Sequence, residues 1–182
     1  EGEIAGLHGP PEAFKTWLSI EIADALARGA PLLGQWPIPR RYRVYFLETE
    51  MSVPTLGSRL RKRYARSAAP DGICFADEQQ LRRFRRVPGL SQKLELVRSW
   101  IALANAEIAI LDTANPFFRA RESPNDETVV GSFFDHLAGL PVLASIFVRH
   151  NRKRRAEDAA FADDGAGNIR GSGQFADVAD LL

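Results

Sequence analysis

Short apolar segments that alternate with amphipathic segments along the whole chain constrain the fold more than any other feature. Strands that are apolar on both faces and separated by helices form a parallel sheet covered on both sides. We therefore predict an α/β fold, a three-layer α/β/α sandwich with a mainly parallel sheet. The predicted strands are residues 3–8, 42–49, 72–76 (a short edge strand), 108–113 and 141–148, with a further strand beginning at 176–182.

Helices are predicted between these strands by apolar residues at helical spacing and by the signals at their ends. Gly29 stops the first helix, and Ser52 and Ser91 are predicted to cap two others. Residues 151–168 are polar, charged and rich in Gly and Ala, and we predict a long mobile loop there. The predicted helices cover residues 15–28, 52–66, 92–106 and, from Asn125 or Asp126, to about 138.

Length and composition indicate one globular domain. The chain has 182 residues, of which 45% are hydrophobic and 26% charged, and domains usually have about 100–200 residues. No apolar run of about 18 residues exists and no leader precedes the first strand, so we expect a cytoplasmic protein without a membrane span. Because the chain begins with Glu1, we expect residues 1–182 to be a single-domain fragment truncated near its last strands. Cys74 lies in an apolar run and is expected to be buried and unreactive.

The segment between the first strand and the first helix compares with the phosphate-binding motif G-x-x-x-x-G-K-[ST]. In that motif, backbone N–H groups at a helix N-terminus surround the phosphates, the lysine reaches the outer phosphates, and the hydroxyl binds magnesium. Lys15 and Thr16 stand at the last two positions. The alternative is a helix that begins with Lys-Thr by chance. The predicted nucleotide-binding residues are Gly9, Pro10, Pro11, Glu12, Ala13, Phe14, Lys15, Thr16 and Trp17.

Two residues of this segment depart from the motif. Phe14 occupies the position of the last glycine, and Glu12 stands where many ATPases also carry glycine. Because phenylalanine does not adopt a positive φ cheaply, we expect an ordinary helical entry at Phe14. Glu12 adds a negative charge close to the phosphates unless its side chain points outward.

Carboxylates follow two of the predicted strands. Asp112 closes an apolar strand, and a carboxylate at that place in a P-loop sheet holds magnesium, usually through water. ATP hydrolysis also needs a carboxylate beside the attacking water, and we assign this role to Glu50. Glu48 and Glu50 are two residues apart and are expected on the same side of the strand. Glu48 is treated as secondary or structural.

A histidine and two basic segments complete the candidate site. His150 leaves an apolar strand at the expected catalytic edge and is a candidate γ-phosphate sensor. The basic residues that follow are candidates for arginine fingers acting on a neighbouring subunit, for DNA contacts, or for solvated charge only. The sequence leaves these three options open for Arg152, Lys153, Arg154, Arg155 and Arg170.

The net charge of +1 hides a strong local excess of basic residues. Only Asp71, Asp77 and Glu78 oppose a long basic stretch in the first half of the chain. Such stretches suit a polyanion, but most are simply solvated helix faces. The basic residues of this stretch are Arg59, Arg61, Lys62, Arg63, Arg66, Arg82, Arg83, Arg85 and Arg86.

Taken together, these segments resemble the RecA/DnaB-type ATPases, and among them the hexameric plasmid replicative helicases of the RepA type and their AAA-like relatives. The resemblance covers essentially the whole chain. It is carried by GPPEAFKTWLSIEIADALARG with the following PLLGQWPIP, and by YRVYFLETEMS, IAILDT, FVRHNRK and NIRGSGQFADVADLL. Members of this family often have Phe-Lys-Ser/Thr, so Phe14 fits the pattern. A second histidine is common where this chain has Arg149.

The resemblance implies ATP and Mg²⁺ as ligands, with Lys15 and Thr16 on phosphate and Mg²⁺, Glu50 as catalytic carboxylate, Asp112 as Walker B residue and His150 as sensor. It also implies a homo-oligomer, a ring of six, with ATP at each interface and single-stranded DNA at the pore. Residues 115–125 and those after His150 match pore-facing loops. Two alternatives stay open: a RecA- or KaiC-like ATPase in recombination or signalling, and a nucleotide- or DNA-binding module with little turnover.

Overall fold

The computed structural model describes residues 2–10, 13–118 and 127–150, and His150 is described by its backbone only. Five strands form one sheet in the order β1-β5-β4-β2-β3, and every neighbouring pair is parallel. The strands are β1 (Glu3–Gly9), β2 (Val44–Glu48), β3 (Ile73–Phe75), β4 (Ile108–Asp112) and β5 (Ala144–His150). The helices are α1 (Lys15–Arg28), α2 (Val53–Arg63), α3 (Glu78–Arg86), α4 (Leu90–Ala104) and α5 (Glu127–Ala138), and a 3₁₀ turn covers Asn115–Phe117.

Hydrophobic side chains cover both faces of the sheet. Alternate residues of β2 separate onto the two faces: Val44 and Phe46 pack with α1 and α2, whereas Tyr45 and Leu47 pack with α3, α4 and α5. Strands buried on both faces are typical of parallel sheets between helical layers. The predicted three-layer α/β/α sandwich is therefore confirmed. No helix in the described ranges is long and apolar enough to span a membrane.

Helix α3 was not predicted. Only Leu81 and Phe84 of its nine residues are buried, so it has too few apolar positions to give a clear periodic pattern. Its start does carry a recognisable signal, because the Asp77 side chain accepts the N–H of Gln80 and the Gln80 side chain accepts the N–H of Asp77. This reciprocal capping box stabilises the first turn.

Three local predictions were wrong. Ser91 does not cap α4, because the helix begins one residue earlier, at Leu90, with Gly89 at the N-cap. Cys74 is exposed rather than buried, because β3 is a three-residue strand at the edge of the sheet. The last described strand begins at Ala144 and not at residue 141. The predicted loop at 151–168 and strand at 176–182 lie outside the described residues.

Parallel pairing brings the carboxyl ends of the strands to one edge. Glu48 is in register with Asp112, and Gly9 is in register with His150. Ligands of such sheets bind at this edge. The topology therefore gathers the ends of β1, β2, β4 and β5, which carry the predicted site residues.

Candidate active site

A cleft of about 380 Å³ opens between the start of α1 and the carboxyl ends of β2 and β4. Eight of the lining residues are ones that the sequence analysis considered for the site, and Met51, Arg59 and Thr113 are additions to it. The lining residues are Ala13, Phe14, Lys15, Thr16, Trp17, Glu48, Glu50, Met51, Arg59, Asp112 and Thr113. The sheet edge thus brings the predicted phosphate-binding segment and the predicted carboxylates into one cavity.

Phe14 adopts the conformation that a glycine would have at this place. It is the N-cap of α1, with φ 56° and ψ 20° in the left-handed region, so the expected ordinary helical entry is wrong. A left-handed conformation costs a residue with a β-carbon roughly 1–2 kcal/mol. The residue is 75% exposed although it borders the cleft, so few packing contacts hold it in this conformation.

Lys15 is folded back onto the turn that precedes it. Its Nζ donates hydrogen bonds to the carbonyl oxygens of Gly9, at 3.0 Å, and Pro10, at 2.5 Å. The side chain is 7% exposed, and burial lowers its pKa, while the charges of Asp112 and Glu50 act in the opposite direction. The ammonium group therefore lies within the electrostatic influence of both predicted carboxylates.

Two carboxylates are buried side by side at the ends of β2 and β4. Glu48 and Asp112 are register partners and are 3% and 1% exposed. The pKa of Glu48 is raised to about 7, mainly by burial and to a smaller extent by the neighbouring charge of Asp112. Like charges in a site of low polarity oppose full ionisation of both groups. A cation that enters the cleft would relieve this repulsion.

Glu50 does not share the environment of Glu48. Strand β2 ends at Glu48, so the expected alternation does not extend to Glu50, which is exposed. The two are linked through the backbone, because Glu48 Oε1 accepts the N–H groups of Glu50, at 2.7 Å, and Met51, at 2.9 Å. Glu48 thus fixes the turn on which Glu50 stands.

Threonines connect this turn to β4. The Thr49 N–H donates to the carbonyl oxygen of Asp112 at 2.7 Å, and Thr49 Oγ1 accepts the Thr113 N–H at 2.9 Å. The Thr113 hydroxyl in turn donates to Glu50 Oε1 at 2.8 Å. The peptide between Asp112 and Thr113 is cis. Glu50 and Asp112 are therefore held in a fixed relation by backbone and side-chain hydrogen bonds.

Trp17 and Arg59 form the outer wall of the cleft. The Arg59 guanidinium lies 5.9 Å from the centroid of the Trp17 ring, within the range of a cation–π interaction. Arg59 was grouped with the general basic stretch and was not recognised as a cleft residue. One signal was available in the sequence: Arg59 follows Ser52, the cap of α2, by only about two helical turns, so it lies near the end of the helix that starts beside β2.

A histidine and an arginine lie side by side on the opposite face of the sheet. His8 and Arg149 are register partners on β1 and β5, and Arg149 is fully buried. Burial lowers the pKa of His8 to about 4, with the charge of Arg149 as the smaller cause. His8 also packs edge-on against Phe147, with ring centroids 5.5 Å apart. A neutral histidine therefore directly precedes the predicted phosphate-binding turn.

Other predicted site residues are described only in part. The backbone of His150 ends β5 beside Gly9, and its side chain lies outside the described atoms. Its role as a sensor stays a prediction. The residues that lie wholly outside the described ranges are Pro11, Glu12, Arg152, Lys153, Arg154, Arg155 and Arg170.

The donor set of the cleft suits magnesium. Asp112 supplies a carboxylate and Thr16 a hydroxyl, both bordering the same cavity, and Mg²⁺ prefers such oxygen donors. Within the described residues, no cluster of three or more His, Cys, Asp or Glu side chains is placed to hold a metal ion. That composition fits an ion bound by one or two protein oxygens together with nucleotide phosphates and water, rather than a metal held by protein alone.

Comparison with known proteins agrees with this geometry at the level of family and fold. The sequence matches the AAA domain family over residues 1–156. The fold is similar to that of a KaiC-like protein from the hyperthermophilic archaeon Pyrococcus horikoshii OT3, with a TM-score of 0.56 and 15% identity. The match covers 82% of this chain and 62% of the archaeal one, so this chain spans less than two thirds of that protein's length. No curated protein matches the sequence.

Family and fold together support a RecA-like P-loop ATPase. The likeness to the archaeal protein, at this level of identity, concerns the fold alone. Neither match singles out the replicative helicases of the RepA type, and that part of the resemblance stays a prediction.

Proposed function

The chain belongs to the AAA domain family, and on that premise we propose that it binds and hydrolyses MgATP as an oligomer that acts on DNA. The observation that carries the ATPase part is the convergence of Lys15, Asp112 and Glu50 on one cleft at the carboxyl edge of a parallel sheet. A cation for the phosphates, a metal-binding carboxylate and a second carboxylate are the parts that phosphoryl transfer to water requires.

Each residue of the cleft has a separate task in this proposal. Lys15 exchanges its carbonyl partners for the outer phosphates, and the first turn of α1 directs its N–H groups at the same anion. Thr16 and Asp112 hold Mg²⁺, which neutralises the charge that develops on the phosphates when it is bound. Glu50 orients the attacking water and accepts its proton.

The proposed ring of subunits is supported by the family resemblance, and the proposed DNA binding is supported by that resemblance and by the basic residues. Rings of RecA-like subunits bind ATP between neighbours, and His150 is the proposed sensor that reports the γ-phosphate to the loops that follow it. Arg152–Arg155 and Arg170 are proposed either to reach the ATP of a neighbouring subunit or to contact single-stranded DNA. We propose six subunits and coupling to DNA of the replicative helicase type. A RecA- or KaiC-like role in recombination or signalling is the second candidate, because the KaiC-like likeness in fold favours it.

Three variants test the ATPase proposal. Lys15→Ala removes the phosphate-binding ammonium group, and we expect ATP binding to be lost in equilibrium titration. Glu50→Gln keeps the size of the side chain, and we expect ATP to bind while phosphate release falls by roughly 10²–10⁴-fold. Lys93→Ala is the control, because Lys93 is also a buried lysine that donates to a carbonyl oxygen, that of Pro116, away from the cleft.

The outcomes separate the candidates. Unchanged ATP affinity in Lys15→Ala would contradict the phosphate-binding assignment. ATP binding without phosphate release in the wild type would leave a nucleotide-binding module and not an enzyme. DNA-stimulated hydrolysis with directional unwinding favours the helicase type, whereas strand exchange or nucleotide-dependent autophosphorylation favours the RecA- or KaiC-like role.

A further inference from the structure

Helix α3 presents an arginine-rich face to solvent. Four of its nine residues are exposed arginines, Arg82, Arg83, Arg85 and Arg86. Glu78 pairs with Arg82 at 2.9 Å, and within the described residues the other three arginines make no ion pair. Cations spaced at i and i+4, or at i and i+3, destabilise a helix slightly. The helix is held by its cap and by two buried side chains, so this face is not needed for folding.

A groove of about 930 Å³ runs beside this face, between α3 and the first turns of α4. Arginines form one wall, the polar side chains of α4 form the other, and apolar residues contribute the rest. The single carboxylate of the lining, Glu95, is 3.4 Å from the guanidinium of Arg98. The lining residues are Gln79, Arg82, Arg83, Arg86, Val87, Pro88, Ser91, Gln92, Glu95 and Leu96.

We propose that this groove binds the backbone of single-stranded nucleic acid. Guanidinium groups form paired hydrogen bonds with phosphate oxygens, and arginine is the preferred side chain for such recognition. Serine and glutamine side chains are common partners of phosphate and sugar oxygens. Apolar side chains and the flat faces of guanidinium groups accept unpaired bases without sequence preference. The groove contains all three kinds of contact.

The charge density favours a nucleic acid over a protein partner. Cores of protein–protein interfaces are poor in charged residues, whereas nucleic-acid interfaces are strongly basic. Three arginines line the groove and Glu95 faces Arg98. A nucleic acid strand carries one phosphate on each nucleotide and so offers an acceptor for each of these guanidinium groups. An acidic peptide is kept as an outcome of the test.

The inference rests on the proposed function, since it names where the described part of the chain would hold the DNA. It is also separate from the cleft, because no residue of α3 lines the cavity around Lys15. The groove adds a contact surface within the described residues to the basic segments at Arg152–Arg155 and Arg170.

The test compares two triple variants of the whole chain. Arg82→Gln, Arg83→Gln and Arg86→Gln remove three charges from the groove and keep good helix formers. The control replaces Arg61, Lys62 and Arg66, three exposed basic residues of α2 and the segment that follows it, by Gln. Both are titrated with fluorescent oligo-dT at several salt concentrations. We expect the groove variant to bind at least tenfold more weakly and its log–log salt slope to fall by about 2, the value for three lost contacts with a single strand.

The remaining outcomes decide against the groove. Equal losses in both triple variants would indicate net charge alone, and no loss in the groove variant would exclude the site. If the groove variant loses binding to polyglutamate but keeps oligo-dT, the partner is an acidic protein and the inference is wrong. Phosphate release measured without DNA reports separately on the proposed ATPase. Because oligo-dT binding needs no turnover, a failure of the groove proposal is distinguishable from a failure of the ATPase proposal.

Discussion

The two sides of the cleft are built in different ways, although both end on neighbouring parallel strands. On the side of β2 and β4, Glu48, Thr49 and Thr113 connect the catalytic candidates through hydrogen bonds of 2.7–2.9 Å. On the side of β1, Lys15 bonds only to carbonyl oxygens of its own turn, and Phe14 is held in a left-handed conformation.

The two sides differ in how many of their hydrogen bonds must change for the proposed nucleotide to bind. Fixed polar groups contribute to catalysis because they need no reorganisation during the reaction. The carboxylate side has this property, since its hydrogen bonds join one strand end to the other. In the proposed function the β1 side exchanges hydrogen bonds, because the ammonium group of Lys15 donates to the carbonyl oxygens of Gly9 and Pro10. We infer that the carboxylate side is assembled in advance and that the phosphate side is completed by its ligand.

Among the variants that test this comparison, the largest effect is expected on the carboxylate side. Glu48→Ala removes the acceptor for the N–H groups of Glu50 and Met51, so Glu50 loses its fixed position. We expect kcat to fall by roughly 10–100-fold with little change in KM, because displacement of about 1 Å is enough for such a loss.

Glu48→Gln is the matched control for this prediction. Glutamine keeps an acceptor oxygen and imitates the protonated carboxyl, which the raised pKa of about 7 makes abundant near neutral pH. We expect steady-state kinetics of this variant to approach those of the wild type. Equal losses of kcat in the alanine and glutamine variants would show that Glu48 acts through its charge and not by holding the turn.

A smaller effect tests the backbone on the β1 side. Phe14→Ala keeps a β-carbon in the left-handed conformation, whereas Phe14→Gly removes it, and both lose an exposed ring of little packing value. We expect the glycine variant to exceed the alanine variant in free energy of unfolding by about 1 kcal/mol. Denaturant titration of the two proteins measures this difference directly. A more stable alanine variant would mean that the left-handed turn is not retained.

The sequence predicted the fold better than it predicted the local geometry of the site. The sheet followed from strands that are apolar on both faces, and the position of the cleft followed from their carboxyl ends. The separate environments of Glu48 and Glu50 could not be predicted from the sequence. Side chains alternate between the two faces only while the chain stays in the strand, and β2 ends at Glu48. The conformation of Phe14 was missed because local steric preference opposes it, and the path of the turn overrides that preference.

The smallest expected effect concerns the charges beneath the β1 side. The pKa of His8 is lowered from 6.5 to about 4 in the folded protein, mainly by burial and further by Arg149. Between these two pH values the unfolded chain therefore binds the proton more tightly than the folded chain. The contribution of neutral His8 to stability is complete above pH 6.5 and is lost as the pH falls through about 4.

Replacement of His8 by glutamine isolates this contribution. The variant has no titrating group at that place, so its free energy of unfolding should rise less steeply than that of the wild type between about pH 4 and 6.5. Denaturant titrations at several pH values in this window give both slopes. If the slopes coincide, His8 is not held neutral by its buried position beside Arg149.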